Sequence, residues 1–229
     1  MLQQAKAKIY LAENRKVRES SVFRNSSTLQ TPDGQPCSGA GLLLACNDEV
    51  LAPGHSHPYP LHLDSTIILL PVTGSLVYNI GNGNDQYLEP GECLIKSLAA
   101  GTSFKIENPH GELINYLQLK LDHEGLVQYN SVTCFLEPAN VGLVELMSAG
   151  YKVSIGRFDG REELNYELSH PHNKVFCFVI QGAFEVAYRL LHPRDGLCLW
   201  DLNYFEVESL SNNAVILFVE GPEELIVDE

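Results

Sequence analysis

Residues Ile67–Tyr78, IILLPVTGSLVY, align without a gap on Val175–Val186, VFCFVIQGAFEV. In each segment an apolar strand runs into a Gly, and a second strand follows it. The offset is 108 residues (175 minus 67), close to half of a 229-residue chain. A pattern recurring once at that distance describes two tandem copies of one domain, each with its own core. Downstream matches continue the pattern. Leu88–Leu98 (LEPGECLIKSL) resembles Leu190–Leu202 (LLHPRDGLCLWDL) with a short gap, and Ile114–Leu121 and Ala214–Gly221 close the two copies.

Within each copy, short runs rich in Val, Ile, Leu, Phe and Tyr are bounded by Gly, Pro, Asn and Asp, which is the signature of strands. Amphipathic helical periodicity is nearly absent. Asn79–Tyr87 (NIGNGNDQY) carries Asn-Gly chemistry suited to a tight hairpin, because Gly and Asn tolerate positive φ. The fold class expected is all-β, as two tandem small jelly-roll barrels. Residues 1–125 form the first domain and 126–229 the second, with a linker near Leu121–Val132. Met1–Gln30 precedes the first copy and adds an edge strand to it, while Met147–Phe158 opens the second.

A net charge of −14 disfavours nucleic acid, since phosphate binding needs a basic surface. No apolar run approaches the roughly 18–20 residues of a membrane span, and the N-terminus lacks a signal-peptide pattern. The expected compartment is the cytoplasm. Six scattered cysteines include no CxxC pair and read as buried thiols. The acidic end Glu220–Glu229 reads as a solvated tail. No GxSxG, Walker A, HExxH or dinucleotide fingerprint is present.

Five segments together carry a family resemblance over nearly the whole length. They are Ile9–Arg15 (IYLAENR), Ile67–Tyr78, the Pro90-Gly91-Glu92 turn, Asn115–Leu121 (NYLQLKL), and FVIQGAFEV through Arg194–Trp200. In order and spacing the chain resembles a bicupin of the pirin family, the group that includes bacterial quercetinase-like proteins. That resemblance implies cupin barrels and, in metal-binding members, one iron-type ion in the first barrel. A His-x-His pair would supply two ligands and a His-x-Glu pair after the Pro-Gly turn the rest. Neutral imidazoles and a carboxylate suit a divalent iron, and residues i and i+2 of a strand point to one side.

Three of the eight histidines crowd into GHSHPYPLHLDST (Gly54–Thr66). Counting back from Gly74 places His62 at the second position of the pair, with Pro60 where its partner would be. The other arrangement uses His55-x-His57, with PYPLH as an insertion. After the turn, matching Ala100-Gly101 puts Ile106 and Asn108 at the His and Glu positions, and sliding by two gives Phe104 and Ile106. Neither register supplies a ligand pair. In the second barrel, His170-x-His172 stands at the offset before Gly182 that His62 has before Gly74, but no second His pair follows.

The first barrel is therefore expected to hold a degenerate metal site. By strand alternation His62, Asp64 and Thr66 share an inward face that Ile68 continues, and with Ile106 and Asn108 they line a mixed pocket for a small organic ligand. The expected function is a metal-free or metal-poor small-molecule-binding or regulatory bicupin with no cofactor, no nucleic-acid or membrane partner, and no protein partner identifiable from sequence. The alternative is a quercetin 2,3-dioxygenase-type enzyme using Fe(II) or another divalent metal on a rearranged site drawn from His55, His57 and His62, with His110 as a further candidate.

Overall fold

The computed structural model describes residues 5–30, 43–81, 83–122, 130–134 and 142–222. Within them one 3-10 turn, Ala12–Asn14, accompanies strands alone. The first strands are β1 (Lys6–Tyr10), β2 (Lys16–Glu19), β3 (Phe23–Ser27), β4 (Leu43–Leu51), β5 (Ser56–Pro60), β6 (Ser65–Thr73), β7 (Leu76–Ile80), β8 (Gln86–Leu88), β9 (Glu92–Leu98), β10 (Ser103–Glu107), β11 (Ile114–Asp122) and β12 (Asn130–Cys134). They are followed by β13 (Gly142–Ala149), β14 (Tyr151–Phe158), β15 (Glu163–Glu167), β16 (Asn173–Gln181), β17 (Phe184–Val186), β18 (Arg189–Leu191), β19 (Gly196–Trp200), β20 (Tyr204–Ser209) and β21 (Ala214–Pro222).

Two compact units result. The first pairs a seven-stranded sheet, β12-β9-β6-β11-β4-β3-β2, with a four-stranded sheet, β5-β10-β7-β8. The second pairs a six-stranded sheet, β1-β19-β16-β21-β14-β13, with β15-β20-β17-β18. Each is an antiparallel jelly-roll sandwich, the tandem architecture expected of the repeat. Inward side chains fill each core. Ile67, Leu69, Leu94, Phe104, Ile106 and Tyr116 are among those in the first. Val175, Cys177, Phe184, Leu197, Phe205 and Phe218 belong to the second. Fully burying one such side chain contributes about 1.5–3 kcal/mol.

The boundary between units is not a single cut near residue 125. β1 belongs to the second unit, where Lys6 to Tyr10 pair in register with Trp200 to Gly196 on β19. The Arg189 guanidinium donates to Ala5 O at 2.9 Å, and Ala12 N donates to Asp195 Oδ1 at 2.8 Å. Partners more than 180 positions away along the chain leave no trace in local periodicity. β12 in turn extends the first unit's large sheet beside β9. Residues 123–129 of the expected linker, 223–229 of the acidic end, Asn82 and Cys37 lie outside the described residues. Cys46, Cys93, Cys177 and Cys198 are buried free thiols, and no helix of the described residues is long and apolar enough to cross a membrane.

The repeat has a structural cause. Gly74 and Gly182 follow equivalent strands with φ of +73° and +76°. An added Cβ would stand 2.7 Å from Ile114 Cγ2 at Gly74 and 2.6 Å from the Ala214 Cβ at Gly182. Ile114 and Ala214 occupy matching first positions of β11 and β21. Left-handed backbone and a close neighbour together exclude every side chain. Gly182→Ala is expected to lose about 2 kcal/mol or more in urea melts, against about 1 kcal/mol for Gly54→Ala, where φ is also positive but nothing lies within 4 Å. The two Pro-bearing turns match as well. Glu92 Oε2 accepts from Glu89 N at 2.8 Å, and Asp195 Oδ2 accepts from His192 N at 2.9 Å.

Candidate functional site

Alternation along the large sheet of the first unit turns Phe23 and Asn25 of β3, Asn47, Glu49 and Leu51 of β4, and Ile114, Tyr116 and Gln118 of β11 to one face. Register then sorts them into rungs. Phe23, Leu51 and Ile114 form an apolar rung, since Leu51 pairs with both of the others. Asn25, Glu49 and Tyr116 form the next, and Ser27, Asn47 and Gln118 the one after. Across from them β5 contributes His57 and Tyr59. The rungs border an open cavity of about 530 Å³ whose lining includes Phe23, Asn25, Asn47, Glu49, His57, Tyr59 and Gln118, with Arg18, Glu19 and Ser20 of the β2–β3 hairpin also along it.

Glu49 is the polar centre. It is 1% exposed, and among the described residues no cation pairs with it. Asn25 Nδ2 donates to Oε1 at 2.5 Å, and the Tyr59 hydroxyl donates to Oε2 at 2.5 Å. With its proton so committed, Tyr59 receives the Tyr116 hydroxyl, 2.6 Å away. The chain of donors thus runs Tyr116 to Tyr59 to Glu49. Burial pushes the Glu49 carboxyl up to about 7, against hydrogen bonds from Tyr59 and Asn25 that favour the anion. Burial, and then the neighbouring Glu49 charge, hold both phenols well above the ordinary tyrosine range. His57 lies parallel to Phe23, with ring centroids 3.8 Å apart, and meets Tyr59 edge-on at 4.8 Å. Burial lowers its pKa, which favours the neutral imidazole.

The second barrel provides an internal control. β5 pairs with β10 so that Tyr59 faces Phe104 and His57 faces Ile106. β15 pairs with β20 in the matching register, with Tyr166 facing Phe205 and Leu164 facing Val207. The aromatic pairs stack alike, at 4.7 and 5.1 Å. On the large sheet, Asn25, Glu49 and Tyr116 correspond by register to Leu143, Gly156 and Ile216. Asn47 and Gln118 correspond to Ser154 and Phe218. One lattice is packed with hydrocarbon in the second unit and wet with polar groups in the first. The fold does not require the polar set.

The second unit has its own buried carboxylate, Glu220, elsewhere on the lattice. It accepts from Tyr166 Oη (3.0 Å), Ser169 N (2.6 Å) and Asn173 Nδ2 (2.7 Å), ties that close the start of β16. His170 and His172 are exposed in the preceding turn, ring centroids 5.4 Å apart.

The residues singled out from sequence are not gathered into one pocket. His62 and Asp64 are exposed in the turn between β5 and β6, where Asp64 Oδ1 accepts from Ala100 N at 2.7 Å. Thr66 and Ile68 face away from the barrel core, which takes Ile67 and Leu69 instead. Thr66 bonds Ser97 across the strands at 3.0 Å. The count from Gly74 assumed an extended chain back to His62, but β6 begins only at Ser65, and the turn before it breaks the alternation. Asn108 is buried, and its amide is spent on backbone groups. Its Nδ2 donates to Leu51 O and Glu112 O, and its Oδ1 accepts from His110 N. His55 is exposed and turned back onto Pro53 O at 2.8 Å. Ile106 does point inward, and of the metal candidates His57 alone lines the cavity.

Residues 148–220 match the model of the quercetinase C-terminal cupin domain. A Pasteurella multocida strain Pm70 protein, PM1685, provisionally named as a quercetin 2,3-dioxygenase, is 23% identical over 189 residues, spanning 77% of this chain and 81% of that one. The Escherichia coli protein YhhW superposes with a TM-score of 0.82 at 18% identity, covering 95% of this chain and 98% of that one. A further YhhW structure is described as a bacterial pirin in complex with nickel(II), at TM-score 0.81. The chain has the two-barrel cupin fold and is similar to pirin-like and quercetinase-like proteins. A quercetin 2,3-dioxygenase from Acinetobacter baumannii shares the bicupin fold at lower similarity, with TM-score 0.67 and 12% identity over 94% of this chain and 79% of that one.

The resemblance implies a His-x-His pair and a His-x-Glu pair. In this bicupin the inward positions of the adjacent strands β5 and β10 hold His57, Tyr59, Phe104 and Ile106. One imidazole, one phenol and two hydrocarbons do not fit an iron-type ion, which needs three or four convergent N and O donors. Among the described residues, no three His, Cys, Asp or Glu side chains are grouped as metal ligands would be. Glu49, Tyr59, Tyr116, Asn47 and Gln118 escaped sequence reasoning. Their signal was faint but present, since Asn47 and Glu49 share strand parity with Leu51, and Tyr116 and Gln118 with Ile114.

Proposed function

We propose that this bicupin binds a small organic molecule in its first barrel without a resident metal, as a binding or regulatory protein. The observation that carries the reading is the contrast between barrels. The first keeps Asn25, Glu49, Tyr116, Asn47 and Gln118 beside an open cavity, where the second packs Leu143, Gly156, Ile216, Ser154 and Phe218. A buried carboxylate with no cation destabilises the fold, and a position of that kind next to a cavity marks a functional site. Stacked rings and a few directed polar groups are what a small-molecule site offers.

A flavonol dioxygenase of the kind named for the Pasteurella relative is the competing reading. His57 favours it, as the imidazole left at an inward position. Untagged protein is to be incubated anaerobically with ferrous iron, desalted and assayed for metal and for oxygen uptake with quercetin. The expected result is iron far below one per chain, unchanged by His57→Ala, and no oxygen uptake. Near-stoichiometric iron lost in His57→Ala, with quercetin-dependent oxygen uptake, establishes the dioxygenase instead.

A further inference from the structure

The cavity's unspent polar groups point to what it holds. Gln118 is 7% exposed and lines the cavity. Its Oε1 accepts from Asn47 Nδ2 at 3.3 Å. The Gln118 amide N–H2 and the Asn47 Oδ1 have no partner among the described residues, so one donor and one acceptor stand on neighbouring strands. Both groups border the open cavity, where one ligand edge can meet donor and acceptor together. Glu49, Asn25, Tyr59 and Tyr116 already satisfy one another.

Charge narrows the class. The unspent groups are two carboxamides and a neutral imidazole, while Arg18 and Glu19 along the rim offset each other. Below the amides lies a carboxyl rather than a cation, which repels anions whenever it is ionised. The stacked His57 and Phe23 rings supply an aromatic surface at the cavity. A cavity of about 530 Å³ lies within the roughly 300–1,000 Å³ of small-molecule sites.

We propose that the first barrel binds a neutral, planar heterocycle with a lactam-type edge, its C=O accepting from Gln118 and its N–H donating to Asn47. This rests on the ligand-binding reading above and adds the ligand class to it. In the second barrel the corresponding pair is Ser154 and Phe218, so that barrel lacks the recognition edge.

Calorimetric titration of the full-length protein tests the class with four probes: 2-quinolone, 1-methyl-2-quinolone, quinoline-2-carboxylate and quercetin. 2-Quinolone is expected to bind best. Methylating its nitrogen, which changes only the probe, weakens binding about tenfold or more, as loss of one buried hydrogen bond does. Gln118→Leu weakens 2-quinolone to a similar degree. Equal binding of the methylated lactam, or preference for the carboxylate or for quercetin, overturns the lactam class and leaves a ligand site of another kind. No binding by any of the four overturns both this inference and the small-molecule reading.

Discussion

Glu49→Gln removes most of a pH-dependent loss of stability between about pH 4.5 and pH 7.5. The sign follows from linkage. The folded-state pKa is about 7, raised from 4.5 by burial. Below about pH 4.5 the carboxyl is protonated in both states and costs nothing. As pH rises through the interval the unfolded chain ionises first, and the folded state weakens until Glu49 ionises as well. At 1.36 kcal/mol per pKa unit the loss reaches about 3 kcal/mol by pH 8. The local charges around it are Asp48, which raises its pKa slightly, and the phenols Tyr59 and Tyr116, which stay neutral throughout. The substituted carboxamide has no charge to bury and still accepts from Asn25 through its oxygen. Urea denaturation at pH 5 and pH 8.5 reads the difference. The variant is expected to match or trail the parent at pH 5 and to exceed it by about 1–3 kcal/mol at pH 8.5, the lower figure allowing for a weaker bond to Tyr59. Parallel stability curves for the two proteins would refute a buried, near-neutral carboxyl.

Restoring the inward ligand set is expected to convert the first barrel into a metal site. Tyr59→His, Phe104→His and Ile106→Glu, with native His57, create His-x-His on β5 facing His-x-Glu on β10, at positions already paired in register. The backbone spacing exists and only the side chains are missing. Without metal the triple variant should lose about 3 kcal/mol or more, because a carboxylate replaces fully buried Ile106 and the Tyr59–Phe104 stack is gone. With nickel(II) at a hundredfold over its Kd, about 2.7 kcal/mol returns. Thermal melts with metal and with EDTA should therefore diverge for the variant and coincide for the parent. Near-stoichiometric nickel after desalting is expected for the variant alone. A folded variant indifferent to nickel would show that β5 and β10 do not present these four positions to one point.

The histidine-rich stretch shows how a site can be half legible. Its clustering drew attention to the right strand, and β5 does hold the cavity's imidazole. Yet the parity of His57 and Tyr59, and the exposure of His62, depend on where β6 begins, and no local pattern marks that. The register of β10 was open between Phe104/Ile106 and Ile106/Asn108. Pairing with His57 and Tyr59 selects the first, and Asn108 becomes a strand-end staple. Glu49 looked unremarkable inside CNDEVL. Its perturbation arises because Asn25, 24 residues earlier, and Tyr116, 67 residues later, share its rung.

By itself the sequence determined two β barrels of one design, because alternation, turn glycines and a repeat at half the chain length are local properties that strand physics translates directly. It also led to the expectation that the ligand pairs the resemblance implies are incomplete, because no register of Phe104–Asn108 contains two donors fit for a metal. Only the tertiary structure decided that β1 completes the second unit, that the first barrel's polar rung meets Tyr59 beside a cavity, and that the same rung in the second barrel is dry. Those facts depend on which distant strands lie side by side, and cross-strand pairing is a long-range choice that the periodicity of each strand leaves open.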